Sequence, residues 1–238
     1  MFKPNYNSHY KPYANKILNW LPSDTKELYG KNLQEKYQLL KDNDWIDKSF
    51  TYNFNSHGFR CNEFTNDPSI MFLGCSLTCG IGLPVESIWP ELVSKQLNMH
   101  CANLGQGGGS NDSSFRLCHG WIDIIKPQIV VLMNPPGVRL EIINDNFMFN
   151  LSGSWVQDNT KMYNNFVQDW SLDDNNNYFN HLKNKLAIES LCVSRNIKFV
   201  YLSDQELANI KQSDLARDLM HCGRLKNKKF AEYVLTKI

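Results

Sequence analysis

With 238 residues, 42% hydrophobic and 21% charged, the chain has the composition of a globular domain large enough to bury a real core. A formal net charge of +1 provides no field for recruiting nucleic acid or an anionic membrane, and the cluster Arg224, Lys226, Lys228 and Lys229 reads as a solvated helix face. No apolar stretch approaches the ~20 residues of a membrane span, and "MFKPNYNSHYKPYANK" lacks the apolar core of a secretory signal, so a cytoplasmic protein is expected.

In chain order, residues 1–50 are polar and aromatic and are set apart as an N-terminal extension to a domain over 51–238. One helix is expected there, over about 25–41, opened by Asp24-x-x-Glu27 as a capping box. Four apolar runs follow, Ile70–Leu73, Met99–Leu104, Ile129–Met133 and Ile197–Leu202, each read as a buried parallel strand. Helical stripes separate them. Ile88, Leu92, Val93 and Leu97 form one, Phe115, Cys118, Trp121, Ile122 and Ile125 a second, and Phe179, Leu182 and Leu186 a third that continues through Leu191 to Val193. Leu225, Phe230, Val234 and Ile238 form the last. Strands alternating with helices predict an α/β fold with a parallel sheet, whose ligands bind beyond the carboxyl ends of the strands. Residues 144–178, rich in Asn and Asp with Phe147, Phe149, Trp155, Tyr163, Phe166, Trp170 and Tyr178, read as a lid or insertion.

Seven cysteines, an odd number, favour free thiols over a disulfide framework. Neither C-x-x-C nor H-x-x-x-H spacing occurs, so no metal site is expected. The glycine loop "CANLGQGGGSND" (101–112) invites a nucleotide reading, but there is no G-x-x-x-x-G-K-[ST]. The dinucleotide fingerprint fails at Ser110 and lacks a carboxylate after the next strand, which ends in Met133-Asn134-Pro135. What remains is a loop whose backbone donors can face an anion.

Two further stretches carry chemistry. "FLGCSLTCGIG" places Ser76 directly after the first strand, between Gly74 and Gly80, where a hydroxyl is exposed and an oxyanion can be bound. Thr78 rules out the G-x-S-x-G elbow. "ARDLMHCG" spaces Asp218 and His221 so that a carboxylate can orient an imidazole and leave Nε2 to take a proton.

Together these blocks resemble the SGNH (GDSL-like) hydrolases. The family's first block, G-D-S-x-T-x-G-x-G, is matched by Gly74-Cys75-Ser76-Leu77-Thr78-Cys79-Gly80-Ile81-Gly82. The second, N-x-G-x-x-G, is matched by Asn103, Gly105 and Gly108, and the last by Asp218, His221 and Gly223. Upstream, Asn55, Gly58 and Arg60 are similar to a lead-in of some members. The resemblance covers residues 50–238 and implies a three-layer α/β/α fold with a flavodoxin-like parallel sheet of about five strands. There are two departures. Cys75 stands where the family has Asp, and the third block, G-x-N-D, is absent; "GSND" at 109–112 lies instead in the second-block loop, at a helix start.

The resemblance implies a serine esterase without metal or cofactor. Ser76 is its nucleophile, His221 the base and Asp218 the support of that base. The N–H groups of Ser76 and Gly108 and the amide of Asn134 hold the oxyanion, with Asn111 as the other candidate donor. The expected substrate is a small-molecule or glycan ester, including O-acetyl groups on carbohydrate. Arg139, Trp155 and Trp170 are the expected contacts to it. An O-acyltransferase on the same scaffold and a non-catalytic binding or assembly protein are the alternatives.

Overall fold

The computed structural model describes residues 5–135, 139–143, 148–152, 173–211 and 213–238. In chain order the elements are β1 (Ile17–Leu18), α1 (Lys26–Glu35), α2 (Tyr37–Asp42), β2 (Tyr52–Asn53), β3 (Ser69–Leu73), α3 (Ser76–Cys79) and α4 (Trp89–Leu97). There follow β4 (His100–Asn103), α5 (Asn111–Ile125), β5 (Ile129–Met133), β6 (Arg139–Ile143), β7 (Met148–Ser152), α6 (Asp174–Val193), β8 (Lys198–Leu202), α7 (Asp204–Asn209) and α8 (Arg224–Leu235).

All four apolar runs become strands of one parallel sheet, ordered β4-β3-β5-β8, which is the flavodoxin-like sequence of strands. The sheet has four strands among the described residues, where about five are expected. After β8 the chain holds no further apolar run, and the other strands pair outside the sheet as two antiparallel pairs, β1–β2 and β6–β7.

Period-two alternation gives the sheet two apolar faces. Met71, Leu73, Val130 and Leu132 pack against Leu117, Trp121, Ile122 and Ile125 of α5 and Ile188 and Cys192 of α6. Ile70, Phe72, Val131 and Met133 face the other way, onto Trp89 and Val93 of α4 and Phe230 and Val234 of α8. The result is three layers, α/β/α. In α6 the expected stripe is rotated: Phe179 and Leu186 are exposed, and the buried positions are Asn180, Asn184, Ile188 and Cys192. The reason is polar. Asn184 Nδ2 donates to Asp112 Oδ1 at 2.8 Å and Asn180 Nδ2 to Asp112 Oδ2 at 3.4 Å, so an amide face turns inward to satisfy a carboxylate on α5.

The helix expected over 25–41 is interrupted at Lys36 (φ −136°) into α1 and α2. Thr25, not Asp24, caps it, accepting from Leu28 N at 3.1 Å. Asp24 is used elsewhere: its carboxylate takes Arg217 Nη2 at 2.7 Å and Nε at 3.1 Å, and Tyr52 Oη donates to it as well. The Arg217 guanidinium lies 4.0 Å from both the Trp20 and the Phe50 ring centroids. Residues from the first fifty thus clamp the residue preceding Asp218. No disulfide joins any of the cysteines, and among the described residues no helix is long and apolar enough to cross a membrane.

Both partners of the Asp24–Arg217 pair are at most 2% exposed, so removing one leaves a buried charge. Asp24→Asn is expected to lower stability by about 3–5 kcal/mol, a fall in Tm on the order of 10 °C. Thermal unfolding followed by circular dichroism checks this; a change within 2 °C would mean that water reaches the guanidinium.

Candidate active site

The site begins where β3 stops. Gly74 has φ +148°, and a Cβ there would lie 2.4 Å from Thr78 Oγ1 and 2.9 Å from the Met133 carbonyl oxygen. Glycine is therefore required for the chain to turn straight from the sheet into α3. Cys75 is the fully buried N-cap, and Ser76 is the first helical residue, so its N–H has no partner within the helix. The Ser76 hydroxyl meets Cys75 Sγ at 4.0 Å, a weak acceptor, which leaves it able to turn toward a stronger one. Arg60, from the lead-in stretch, is buried and donates to the carbonyls of Cys79, Gly80 and Leu83, fixing the far side of the same turn.

The glycine loop after β4 is pressed against this turn. Gln106 N donates to Gly74 O at 3.1 Å, and a Cβ on Gly105 would lie 2.6 Å from Cys79 N. Asn103 joins the two loops, donating to Thr78 O at 2.9 Å and accepting from Gly105 N at 3.0 Å. Gly108 has φ +69°, and among the described residues no acceptor takes its N–H or that of Ser76. Two unsatisfied donors on loops in contact are what an oxyanion requires.

Asp218 and His221 lie in a tight turn rather than a helix. Asp218 Oδ1 accepts the N–H groups of Met220 and His221, each at 3.0 Å, and Oδ2 bonds His221 Nδ1. The carboxylate is buried while the imidazole is partly exposed, so Nε2 is the nitrogen left for other chemistry. Arg217 N donates to Gly82 O at 3.0 Å, and a Cβ on Gly82 (φ +79°) would meet Ala216 Cβ at 2.7 Å. That close contact brings the imidazole turn to the serine turn. Ser76, His221, Gly108 and Arg139 line one cleft of about 460 Å³ together with Tyr10, Pro22, Ser23, Ile81, Gly107 and Met220.

Asn134, directly after β5 and 2% exposed, is not among the residues that line this cleft. Its Oδ1 accepts from Asn111 Nδ2 at 2.6 Å, and its Nδ2 lies 3.3 Å from His181 Nδ1. An amide nitrogen carries two hydrogens, so one donor remains on Asn134 after His181 is served. Asn111 is not the helix cap: Ser110 caps α5, accepting from Ser113 N at 3.1 Å in a capping box. Asn111 Oδ1 is buried with no partner among the described residues. Burial lowers the pKa of His181, favouring the neutral ring that can accept from Asn134. His181 had no signal in the sequence beyond its place on a helical stretch.

Arg139 opens β6 and donates through Nη1 to Gly109 O at 3.2 Å, which places it at the glycine loop. Trp155 and Trp170 lie outside the described residues. Beside Arg139, Glu141 forms a two-pronged pair with Arg116 at 2.8 Å on each arm, and His9 Nε2 is 3.1 Å away. Arg116 Nη1 also donates to the carbonyls of Asn5 and Asn7, so this pair ties the N-terminal segment and the hairpin to α5. Among the described residues no group of three His, Cys, Asp or Glu side chains is placed to hold a metal ion.

No family model matches the chain, and no curated protein matches it in sequence. Solved structures do. The structure of TesA is 14% identical, with 71% of this chain and 96% of that one covered at a TM-score of 0.45. A lipase/acylhydrolase from Enterococcus faecalis is 14% identical over 72% and 95% of the two chains, TM-score 0.39. A protein described as lipolytic and of the G-D-S-L family, from Desulfitobacterium hafniense DCB-2, is 12% identical over 71% and 99%, TM-score 0.38.

Burial alone would raise the Glu141 carboxyl, but the bonds from His9 and Arg116 outweigh it and hold it below the usual value. A carboxylate with a depressed folded pKa contributes stability that is present above its unfolded value, ~4.3, and lost as pH falls through the folded one. The difference in unfolding free energy between the native chain and Glu141→Gln is therefore expected to persist at pH 5 and to shrink below ~4.3. Urea titrations across pH 3–7 measure it; a difference that is the same at pH 3 as at pH 7 contradicts the assignment.

Proposed function

We propose that the chain is a serine esterase of the SGNH type, cleaving carboxylic esters through Ser76, His221 and Asp218. The observation that carries this reading is the single cleft shared by Ser76, His221 and Gly108, with the Asp218 carboxylate bonded to Nδ1 of the imidazole. In the proposed reaction His221 Nε2 takes the Ser76 proton as Oγ attacks the ester carbonyl. The N–H groups of Ser76 and Gly108 and the remaining Asn134 donor stabilise the tetrahedral oxyanion. His221 then gives its proton to the leaving alkoxide, and water, activated by the same imidazole, releases the acid and restores Ser76. Cys75 in place of the family's Asp removes a polar neighbour of the serine but no proton carrier.

The cleft of about 460 Å³ suits a small ester or a sugar carrying an acyl group. O-Acetyl groups on carbohydrate are the proposed substrate class, with Arg139, Trp155 and Trp170 as its contacts.

The purified protein is expected to hydrolyse p-nitrophenyl acetate and to take up a fluorophosphonate on Ser76, located by peptide mapping. Ser76→Ala should abolish both. Wild-type activity in a folded Ser76→Ala protein would end the proposal.

The two asparagines are separable. Asn134→Ala is expected to lose at least ~10-fold in kcat with little change in KM, because an oxyanion donor acts on the transition state. Asn111→Ala should lose less, since its bond goes to the Asn134 carbonyl. If Asn111→Ala is the more defective enzyme, Asn111 is the donor and Asn134 its support.

A further inference from the structure

We infer that the phenol of Tyr10 is a positioning residue for the oxyanion loop, holding the Gly107 N–H so that the next N–H, of Gly108, faces Ser76. The inference rests on the esterase reading and adds to it a residue from the first fifty, outside the stretch that resembles the family.

The loop needs such a support. Gly107, Gly108 and Gly109 are consecutive, and glycine carries the most backbone freedom of any residue, so three in a row do not hold a direction unaided. Donors aimed at a developing charge are effective only when held in place beforehand. Gly107 N donates to Tyr10 Oη at 2.9 Å, and Gln106 Nε2 donates to Ser8 Oγ at 3.2 Å. Two successive loop residues are thus held by two residues of the N-terminal segment, which are themselves joined by Tyr10 N donating to Ser8 Oγ at 3.0 Å.

Tyr10 is in turn fixed. It is 7% exposed, and its ring packs on Phe54 at 5.2 Å and Tyr13 at 6.1 Å between centroids. Its backbone is held against Gly58 (φ +79°), where a Cβ would lie 2.7 Å from both Tyr10 O and Lys11 Cα. Burial first, and then the neighbouring Cys79 thiol, push the phenol well above its usual pKa, so it stays neutral. The phenol oxygen accepts from Gly107 N through a lone pair. Fit is tight on the other side too, because a Cβ on Gly107 would lie 2.3 Å from Tyr10 Oη. Tyr10 also lines the cleft itself, beside Ile81 and Gly107.

Tyr10→Phe keeps the ring and removes the acceptor. On p-nitrophenyl acetate its kcat is expected to fall about tenfold, with KM within about twofold and Tm within a few degrees of the native protein. Affinity for a boronic acid, whose tetrahedral adduct on Ser76 sets an oxygen in the oxyanion position, should fall by a similar factor. Amide hydrogen exchange in residues 104–110 should quicken. Ser8→Ala is the second variant, expected to show the same pattern more weakly, and it stands in if Tyr10→Phe does not fold. An active native enzyme with unchanged kcat in both variants overturns the inference and leaves the esterase reading intact. A rise in KM alone makes Tyr10 a substrate contact instead, and a loss of kcat that merely follows a loss of Tm makes it structural; either result also overturns it. A native protein inert to both the ester and a fluorophosphonate ends the esterase reading, and this inference with it.

Discussion

The arrangement depends on one steric constraint, the absence of a side chain at Gly74. Its backbone passes so close to Thr78 and to the end of β5 that the space for a Cβ is already filled. Because the turn is that tight, Ser76 emerges directly at the carboxyl edge of the sheet, and Gly74 O remains accessible to Gln106 N. The glycine loop then seats on α3, with Gly105 against Cys79 and Asn103 bridging both loops. A larger residue at Gly74 would separate the serine from the loop donors before it disturbed either apolar face of the sheet.

Around that turn the molecule changes character. The two faces of the sheet are apolar and closely filled, whereas its carboxyl edge is a buried polar network. Asn134 is bonded to Asn111 and close to His181, and Asp112 is bonded to Asn180 and Asn184. Buried polar groups specify geometry when satisfied and cost stability when not. Most of this set is satisfied; Asn111 Oδ1, without a partner among the described residues, is the point at which the network is incomplete. That oxygen belongs to the same amide whose nitrogen donates to Asn134 Oδ1.

The first fifty residues take part in the site from two directions. Asp24 neutralises Arg217 and so holds the turn that carries Asp218, while Ser8 and Tyr10 hold the glycine loop. A segment that reads as an appendage in one dimension contributes walls and supports in three. Pro22 and Ser23 line the cleft next to His221, so the same segment also bounds the space open to a substrate.

The strands of the sheet were legible in the sequence because each is a short apolar run, and burial on both faces leaves that mark regardless of what it packs against. The Gly74–Gly82 turn and the Asp218–His221 spacing were legible for a similar reason, since a tight turn and a three-residue reach are local geometry. The inward face of α6 was not legible: its apolar stripe indicated Phe179 and Leu186, and the choice of Asn180 and Asn184 was made by a carboxylate on another helix. Nor were the Tyr10–Gly107 and Asp24–Arg217 bonds, whose partners stand 97 and 193 residues apart. Local spacing determines which backbone can turn and which side chains can be buried. Which buried polar group meets which is decided only when the layers close, because a hydrogen bond needs its partner within about 3 Å and in line, and no pattern along the chain encodes that meeting.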